Sequence, residues 1–442
     1  MKGLVTIFGG SGFVGSQAVR ALARKGLRVR VAVRNPGRGY RLRMMGDVGQ
    51  IEVTQANIRD AESVARALDG AEACVNAVAV LYESGRQKFD TLHVQGARTI
   101  AEAAAAAGVT RFTHISAIGA AAGSPSAYGR TKAAGEAAVR AAIPGAVVLR
   151  PSIVFGPEDQ FFNRFAEMAM ISPALPLIGG GHTKFQPVFV ADVAAAVAQS
   201  IVDPGAAGRT YELGGPGVYT FKALMALLLA DIRRKRLLIP VPFGVAGVLG
   251  RIGDLAAAMS LPPPITTDQV ALLKTDNVVA PGALGLQDLG IAASPLEPII
   301  PSYLYRYIKG GQYADEIAAA AALSPRQARS RLSSPFGGSP AEGGEGGSPG
   351  ETLAPAGPLH PFGVPLPRWG GRRASPAVLG VLALKKKHGR ATRPLRPKRS
   401  PSTPRGGRRG RRGRRRGAAT SGARSGRRRC RGWTAARPAP WP

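Results

Sequence analysis

The sequence predicts an α/β protein in which a doubly wound parallel sheet carries a small C-terminal domain and a disordered basic tail. Strand-like and helix-like patterns alternate through the first half, which is typical of parallel strands covered by helices on both faces. A glycine-rich turn joins the first strand to the first helix. After Asp315 the composition changes to Arg, Gly and Pro. We therefore divide the chain into a first domain at 1–150, a smaller domain at 151–315 with segments returning to the first, and a tail at 316–442.

The individual elements follow from local patterns. Short apolar runs bounded by turn residues predict strands, and they lie at 3–8, 28–36, 51–60, 73–80 and 111–116. Longer stretches with helical spacing, several of them ended by glycine, predict helices, and these lie at 16–26, 60–67, 93–107, 133–142 and 222–229.

The glycine-rich turn carries the clearest chemical signal. Gly9, Gly12 and Gly15 are spaced three apart between a strand and a helix. Glycines at these places let the backbone bend tightly, let a pyrophosphate approach without a Cβ in the way, and let the helix pack on the strand. The phosphate then lies on free N–H groups at the start of the helix, bordered here by Ser11 and Phe13. The turn therefore predicts a dinucleotide site of the Rossmann type rather than a plain turn.

The end of the second strand indicates which dinucleotide is bound. A site that prefers NAD carries an acidic residue here for the ribose 2′-hydroxyl. This sequence has Arg34, with Asn35 beside it and Arg38 following. A guanidinium suits a 2′-phosphate and accepts nothing from a hydroxyl. We therefore expect Arg34 and Asn35 to contact the cofactor and NADP(H) to be favoured over NAD(H). The alternative is a solvated surface arginine.

The third and fourth strands supply the remaining predicted cofactor contacts. Asn57 and Ile58 lie in the last part of the predicted third strand and are placed to edge the adenine. The fourth strand is apolar almost throughout, as a central parallel strand should be. Within it the small side chain of Ala77, next to Val78, leaves room for the cofactor backbone.

Tyr128 and Lys132 are the candidate catalytic pair, because residues four apart share one face of a helix. An ammonium near a phenol favours the phenolate and lowers the phenol pKa, which would make Tyr128 a proton donor or acceptor near neutral pH. The same lysine can reach the ribose hydroxyls. Ser116, after the fifth strand, is the third candidate catalytic residue.

These motifs together resemble the short-chain dehydrogenase/reductase superfamily in its extended and atypical branches, which include the NAD-dependent epimerases and dehydratases. Residues 149–157 and 185–193 look like further landmarks of that branch. The resemblance implies that Pro151 and Ser152 border the nicotinamide. It also implies that Asp192 opens a helix of the smaller domain.

A narrower resemblance covers residues 75–83, 89–97 and 263–279, which are similar to the NADPH-binding accessory subunit of respiratory complex I and its bacterial relatives. That family implies a nucleotide held mainly as a structural element beside the quinone-reducing arm. It implies complex I subunits or a quinone as partners beside the dinucleotide.

One departure from the superfamily bears on catalysis. Its hydrogen-bonding serine or threonine usually follows the fifth strand, where this chain has Ala117 and Ile118, with Ser116 one or two residues early. Ser124 and Ser126 could substitute from the loop. The leading interpretation is a dehydrogenase-like, complex I-associated protein, and a purely docking subunit is a non-enzymatic variant of it. The enzyme alternative is an active oxidoreductase, or a nucleotide-sugar epimerase or dehydratase, that uses the Tyr-x-x-x-Lys pair.

The cysteines, the histidines and the longest apolar run bear on metal sites, disulfides and the cellular location of the protein. Cys74 and Cys430 offer neither a disulfide framework nor a cysteine zinc site, and His114 has no second ligand at metal spacing, so no metal site is predicted. We expect no secretory leader, because Met1 and Lys2 lead directly into the first strand. The longest apolar run, 237–250, is too short to span a bilayer and follows the basic cluster 233–236. We expect a cytoplasmic protein and favour a core segment with a solvated basic edge for residues 237–249. The alternative is an element that lies peripherally on the inner face of the cytoplasmic membrane or covers a quinone.

The formal charge of +33 belongs mostly to the tail. After Asp315, 28 basic residues face only 4 acidic ones. A segment so poor in large apolar residues cannot offset its ordering entropy and should be disordered. Its arginine runs at 408–416 and 427–431 would bind nucleic acid without sequence choice. The other interpretation is that GC-rich DNA read in a wrong frame, or read through a stop, produces this composition.

Overall fold

The computed structural model describes residues 3–259, 261 and 263–316 of the chain. Its centre is a seven-stranded, entirely parallel sheet with the strand order β11-β6-β5-β4-β1-β2-β3. The order reverses between β1 and β4, which is the switch point where ligands bind in such sheets. The predicted Rossmann-type fold is confirmed. The strands are β1 Leu4–Phe8, β2 Arg28–Val33, β3 Ile51–Gln55, β4 Ala73–Asn76, β5 Arg111–Ile115, β6 Val147–Pro151, β7 Val154–Phe155, β8 Ala174–Ile178, β9 Lys184–Phe185, β10 Val188–Phe189, β11 Thr210–Leu213, β12 Tyr219–Thr220 and β13 Leu237–Val241.

Helices cover both faces of this sheet. On one face α1 and α6 pack together over a core of aliphatic side chains, and on the other α2, α3 and α4 cover a second core. Burial on both faces explains why the central strands are apolar almost throughout. The helices are α1 Phe13–Arg24, α2 Ala61–Leu68, α3 Gly96–Ala106, α4 Ala127–Ala142, α5 Phe162–Ile171, α6 Val190–Val202, α7 Phe221–Asp231, α8 Phe243–Ala258, α9 Thr267–Leu272 and α10 Pro301–Leu304.

Three helices begin at least three residues before their predicted start. The helix expected over 16–26 begins at Phe13. The helix expected over 93–107 starts with a π-helical turn, Asp90–Gln95, which continues into α3. The helix expected over 133–142 begins at Ala127, because the Ser126 side chain caps it by accepting from the N–H of Gly129 at 3.3 Å. The earlier start places Tyr128 in the first turn of α4.

The chain leaves the sheet after β6 and returns to it twice. Before the first return and after the second it builds three small two-stranded sheets, β10-β7, β12-β9 and β13-β8, around an aromatic-rich core. The first return is α6, which packs on α1, and the second is β11, which pairs with β6. Asp192 lies in the first turn of α6, as expected, but α6 packs on α1 in the central layer rather than in the smaller domain. The Asp192 carboxylate accepts from the N–H and hydroxyl of Ser294 at 2.7 and 3.0 Å.

The remaining expectations about organisation are untested or outside the described residues. The predicted boundaries at 150 and 315 stay predictions. The statements about the tail, namely its disorder, its nucleic-acid contacts and its origin, concern residues that lie almost wholly beyond Glu316 and so outside the described part. Over 3–259, 261 and 263–316, no helix has both the length and the apolar composition that a bilayer crossing requires.

Candidate functional site

The glycine-rich turn lies at the carboxyl edge of β1, at the switch point of the sheet. Gly9 has φ of 80°, and a Cβ there would come within 2.9 Å of the Ala77 backbone. A Cβ on Gly15 would overlap the Gly9 carbonyl oxygen. Gly12 precedes α1, whose N-terminus has no side-chain cap among the described residues. The free N–H groups at the start of α1 can donate to the pyrophosphate of a dinucleotide. The glycines leave space for the pyrophosphate against the backbone, which larger residues would fill.

The Arg34 region lies at the carboxyl edge of β2, next to this turn. Arg34 and Asn35 are exposed. The Asn35 side chain accepts from the N–H of Gly37 at 3.0 Å and caps a 3₁₀ turn. Within the described chain neither Arg34 nor Arg38 is paired with a carboxylate, whereas Arg41 pairs with Glu158 at 3.6 Å. Two guanidinium groups at the expected edge are therefore available to a phosphate.

The other predicted cofactor contacts differ in exposure. Asn57 is exposed and its side chain accepts from the N–H of Arg59 at 3.2 Å. Ile58 is buried in the core under α2 and α3. Ala77 and Val78 are half-buried, and the Asn76 side chain holds their loop by accepting from the N–H of Val78 at 3.1 Å. The adenine and backbone contacts of these residues stay predictions.

Tyr128 and Lys132 share the inner face of α4, but they do not form the expected acid–base pair. The Lys132 ammonium is buried and donates to the Ile115 carbonyl at 2.8 Å. Burial lowers the pKa of Lys132 to about 8, against the opposing charge of Glu136. Burial, followed by the charge of the nearby Asp268 carboxylate, raises the pKa of Tyr128 to about 12. The expected lowering of the Tyr128 pKa by Lys132 is therefore wrong for this structure.

Ser116 lies below the surface at the end of β5. It is 3% exposed, and its hydroxyl has no partner among the described residues. His114, on the same side of β5, is also buried and accepts at Nδ1 from the Asn76 amide at 3.2 Å. Nε2 therefore carries the proton, and it too lacks a partner in the described chain. A hydroxyl so enclosed is poorly placed to orient a substrate.

Pro151 and Ser152 lie where the chain leaves β6, and a late segment covers them. Ser152 is 5% exposed and its hydroxyl donates to the Asn277 carbonyl at 2.8 Å and to the Asn277 side-chain oxygen at 2.6 Å. The Asn277 side-chain oxygen also accepts from the N–H of Ile153 at 3.1 Å. The Ser152 hydroxyl is thus used within the protein, and its place beside the nicotinamide stays a prediction.

Comparisons with known proteins agree with this architecture. Residues 5–214 match the NAD dependent epimerase/dehydratase family. The chain is 36% identical over 320 residues to the mitochondrial NADH dehydrogenase (ubiquinone) 1 alpha subcomplex subunit 9 of Arabidopsis thaliana, across 70% of this chain and 80% of that one. The chain belongs to the NAD dependent epimerase/dehydratase family. The superfamily resemblance seen in the sequence is confirmed.

Two further known proteins are similar to this chain. The Mus musculus protein of the same name is 34% identical over 296 residues, across 66% of this chain and 78% of that one. The structure of the NADPH-dependent quinone oxidoreductase QOR2 of Escherichia coli superposes with a TM-score of 0.54 at 23% identity, covering 68% of this chain and 99% of that one. The first supports the narrower resemblance to the complex I accessory subunit, and the second shows the fold.

His93 was not identified as a site residue by sequence reasoning. Its side chain connects the loop after β4 to α4. Its Nε2 accepts from the N–H of Val80 at 3.2 Å, so the proton lies on Nδ1, which faces the Thr131 hydroxyl at 3.1 Å. The ring packs edge-to-face on Tyr128 at 5.3 Å. Burial, followed by the Lys132 charge, lowers the pKa of His93 to about 3. A neutral histidine thus ties the loop after β4 to α4, and only the family match over 89–97 could have indicated it.

Sequence reasoning also missed Asp268, which caps the helix that carries Tyr128. Its carboxylate accepts from the N–H groups of Ala127 and Tyr128 at 2.6 and 3.2 Å, and from the Ser126 hydroxyl at 2.7 Å. An anion at a helix N-terminus is stabilising. It also disfavours a second negative charge on the neighbouring phenol. The family match over 263–279 contained this residue without indicating its role.

Proposed function

We propose that this chain is an NADP(H)-binding, dehydrogenase-like protein associated with respiratory complex I, in which the dinucleotide is largely a structural element. The observation that carries the proposal is the match along 80% of the Arabidopsis protein, whose name places it in NADH dehydrogenase. The uncapped glycine turn at the switch point supports the dinucleotide. Direct quinone binding and nucleic-acid contacts are not part of the proposal.

The chemistry around Tyr128 supports holding a cofactor rather than turning it over. A general acid or base works best with a pKa near the operating pH, and the pKa of Tyr128 is raised to about 12. Lys132 is engaged by the Ile115 carbonyl and Ser116 is enclosed. Tyr128 and Lys132 then serve to hold the ribose. Turnover as an oxidoreductase or nucleotide-sugar epimerase/dehydratase would require these three residues to rearrange.

The preference for NADP(H) rests on Arg34, and its removal is the first testable prediction. Arg34→Ala should weaken NADPH binding by about 10- to 100-fold, because a hydrogen bond to a charged group contributes about 1.5–3 kcal/mol. NADH binding should change little, since NADH lacks the 2′-phosphate. Calorimetric titration of both nucleotides measures the two effects.

The matched control is Arg24→Ala, which removes an exposed arginine from the C-terminal end of α1, the end opposite the glycine turn. It should leave both affinities unchanged. An equal loss of NADPH and NADH affinity in Arg34→Ala, or no loss, would contradict the proposed specificity.

Association with complex I, and a peripheral location on the inner face of the cytoplasmic membrane, predict comigration. After mild detergent extraction of membranes from the source cells, the tagged chain should migrate on native gels with NADH:quinone oxidoreductase activity. Deleting the gene should reduce the assembled complex, and supplying the chain should restore it. Recovery of the chain only in fractions without that activity would refute the association, whatever its affinity for NADPH.

A further inference from the structure

Helix α8 buries its small residues and exposes its large ones, the reverse of an ordinary surface helix. Its buried side chains recur at helical spacing and are only alanine and glycine, namely Ala246, Gly250, Gly253 and Ala257. Its outward side chains are aliphatic and each exposes between 46% and 65% of its surface, namely Val245, Val248, Leu249, Ile252 and Leu255. We call these five residues the outer face of α8. The interpretation of the run 237–249 as a core segment is wrong for Val245, Val248 and Leu249.

Close packing fixes this orientation. A Cβ on Gly250 would come within 2.8 Å of the Thr267 backbone, and one on Gly253 would overlap the Ile265 carbonyl. Asp254 is turned towards the same neighbour, since its carboxylate accepts from the N–H of Thr267 at 3.2 Å. Large side chains cannot replace the glycines on the inner side, so α8 cannot rotate to bury its outer face.

Neighbouring segments extend the apolar exposure. Strand β13 leads directly into α8 and exposes Leu237 and Ile239. Met259 and Leu261 follow α8 and are also more than half exposed. Exposed apolar residues that recur through β13, α8 and the segment after it are unusual on a protein surface and indicate an interaction site.

The charges around this surface are almost all positive. From residue 232 to 261 the sequence has five basic residues and one acidic residue, Asp254, whose exposed carboxylate accepts from the N–H of Thr267. Arg251 is exposed on α8 itself, and Lys235 is exposed just before β13. Arg233, in the same basic cluster, pairs with Asp315. An apolar face with basic residues at its edges complements an anionic surface.

The geometry points to the outer face of α8 as a docking surface for an anionic phospholipid bilayer, with the helix lying in the plane of the interface. The face is purely aliphatic, whereas protein–protein interfaces are enriched in aromatic residues that combine apolar surface with hydrogen bonds. Aliphatic side chains reach the boundary between headgroups and acyl chains, and the flanking cations meet the phosphates. The inference deepens the peripheral location proposed above and rests on it.

Flotation of the full chain with lipid vesicles tests this surface. Vesicles of phosphatidylcholine containing phosphatidylglycerol should carry the protein upward, and part of the binding should survive about 1 M salt, because salt screens charges and not apolar burial. The double variant Val248→Asp/Ile252→Asp should lose at least about tenfold of this salt-resistant binding, since each carboxylate must leave water to insert. Binding at low salt through the basic tail should persist.

Controls separate this result from unfolding and from the proposed function. Both substituted residues are exposed, so the melting temperature and NADPH affinity of the double variant should equal those of the parent. Val48→Asp, at a fully exposed valine far along the chain, should leave flotation unchanged. Absence of salt-resistant flotation in the parent, or equal flotation of the double variant, overturns the inference. Loss of complex I comigration without any vesicle binding would assign the face to a protein partner instead, and would also overturn it.

Discussion

Gly12→Asp should abolish dinucleotide binding while leaving the protein folded. Gly12 is exposed, its φ of −81° and ψ of 175° suit any residue, and Asp is a favoured N-cap. The new carboxylate would accept from the N–H groups that the pyrophosphate requires and would repel it. Because like charges placed together cost several kcal/mol, NADPH affinity should fall by about 100-fold or more. Calorimetric titration measures the affinity, and thermal unfolding without nucleotide should show an unchanged midpoint.

The neighbouring glycines supply the contrast. Gly12→Ala adds a methyl group 3.3 Å from the Gly9 carbonyl oxygen and no charge, so it should weaken binding much less than Gly12→Asp. Gly15→Ala would place a Cβ onto that carbonyl and should damage fold and binding together. If Gly12→Asp kept its affinity for NADPH, the helix N-terminus would not be the phosphate site.

Arg150→Met should destabilise the protein by about 3 kcal/mol or more. Glu136 of α4 is 3% exposed and is held by two hydrogen bonds from the Arg150 guanidinium of β6, at 2.9 and 2.7 Å. Removing one partner of a buried pair costs about 3–5 kcal/mol when the remaining charge is left uncompensated. Here the Arg140 guanidinium, 3.7 Å from the Glu136 carboxylate, would compensate part of that charge. Arg150 is itself one quarter exposed, so the lower end applies. Chemical denaturation at neutral pH gives the free energy of unfolding.

Two comparisons distinguish this effect from a general loss of charge. The exposed pair Arg66–Glu62 on α2 should contribute less than about 0.5 kcal/mol to the free energy of unfolding. Arg66→Met should therefore change that free energy very little. The double variant Arg150→Met/Glu136→Leu should recover part of the loss, since it removes the buried Glu136 carboxylate together with its partner. The recovery should be incomplete, because Glu212 also loses its contact with Arg150 at 3.6 Å. A loss below about 1 kcal/mol for Arg150→Met would show that water reaches Glu136.

The sequence predicted the central layer because its signals are local. Alternating strand and helix patterns, the glycine spacing and the Tyr-x-x-x-Lys register each lie within a few residues, and the sheet and the placement of Gly9, Gly12 and Gly15 follow from them. The residues that cover the site cannot be recognised from local sequence patterns. Asp268 bonds to Ser126 across 142 residues of chain, and Asn277 to Ser152 across 125. No periodicity connects positions so far apart.

The direction of the Tyr128 pKa shift was predicted wrongly because it, too, depends on contacts between residues that are distant in the sequence. A lysine four residues after a tyrosine predicts a lowered phenol pKa only if the ammonium faces the phenol. Here Lys132 faces a carbonyl of β5, and the charge nearest Tyr128 comes from α9. For α8 the pattern was equally ambiguous. A run that is apolar on every side cannot indicate which face is buried, and the packing of Gly250 and Gly253 decides it.

The late return of β11 to the sheet has a consequence for the order of events during synthesis. Strand β6 ends at Pro151, but the strand that pairs with its outer edge begins only at Thr210. At roughly 5–20 residues per second, the ribosome needs several seconds to deliver β11 after β6. Throughout that interval the nascent sheet ends in an unpaired strand, and long-range pairing of this kind slows folding. The inserted segment, rather than the N-terminal half, therefore sets when the nucleotide-binding layer becomes complete.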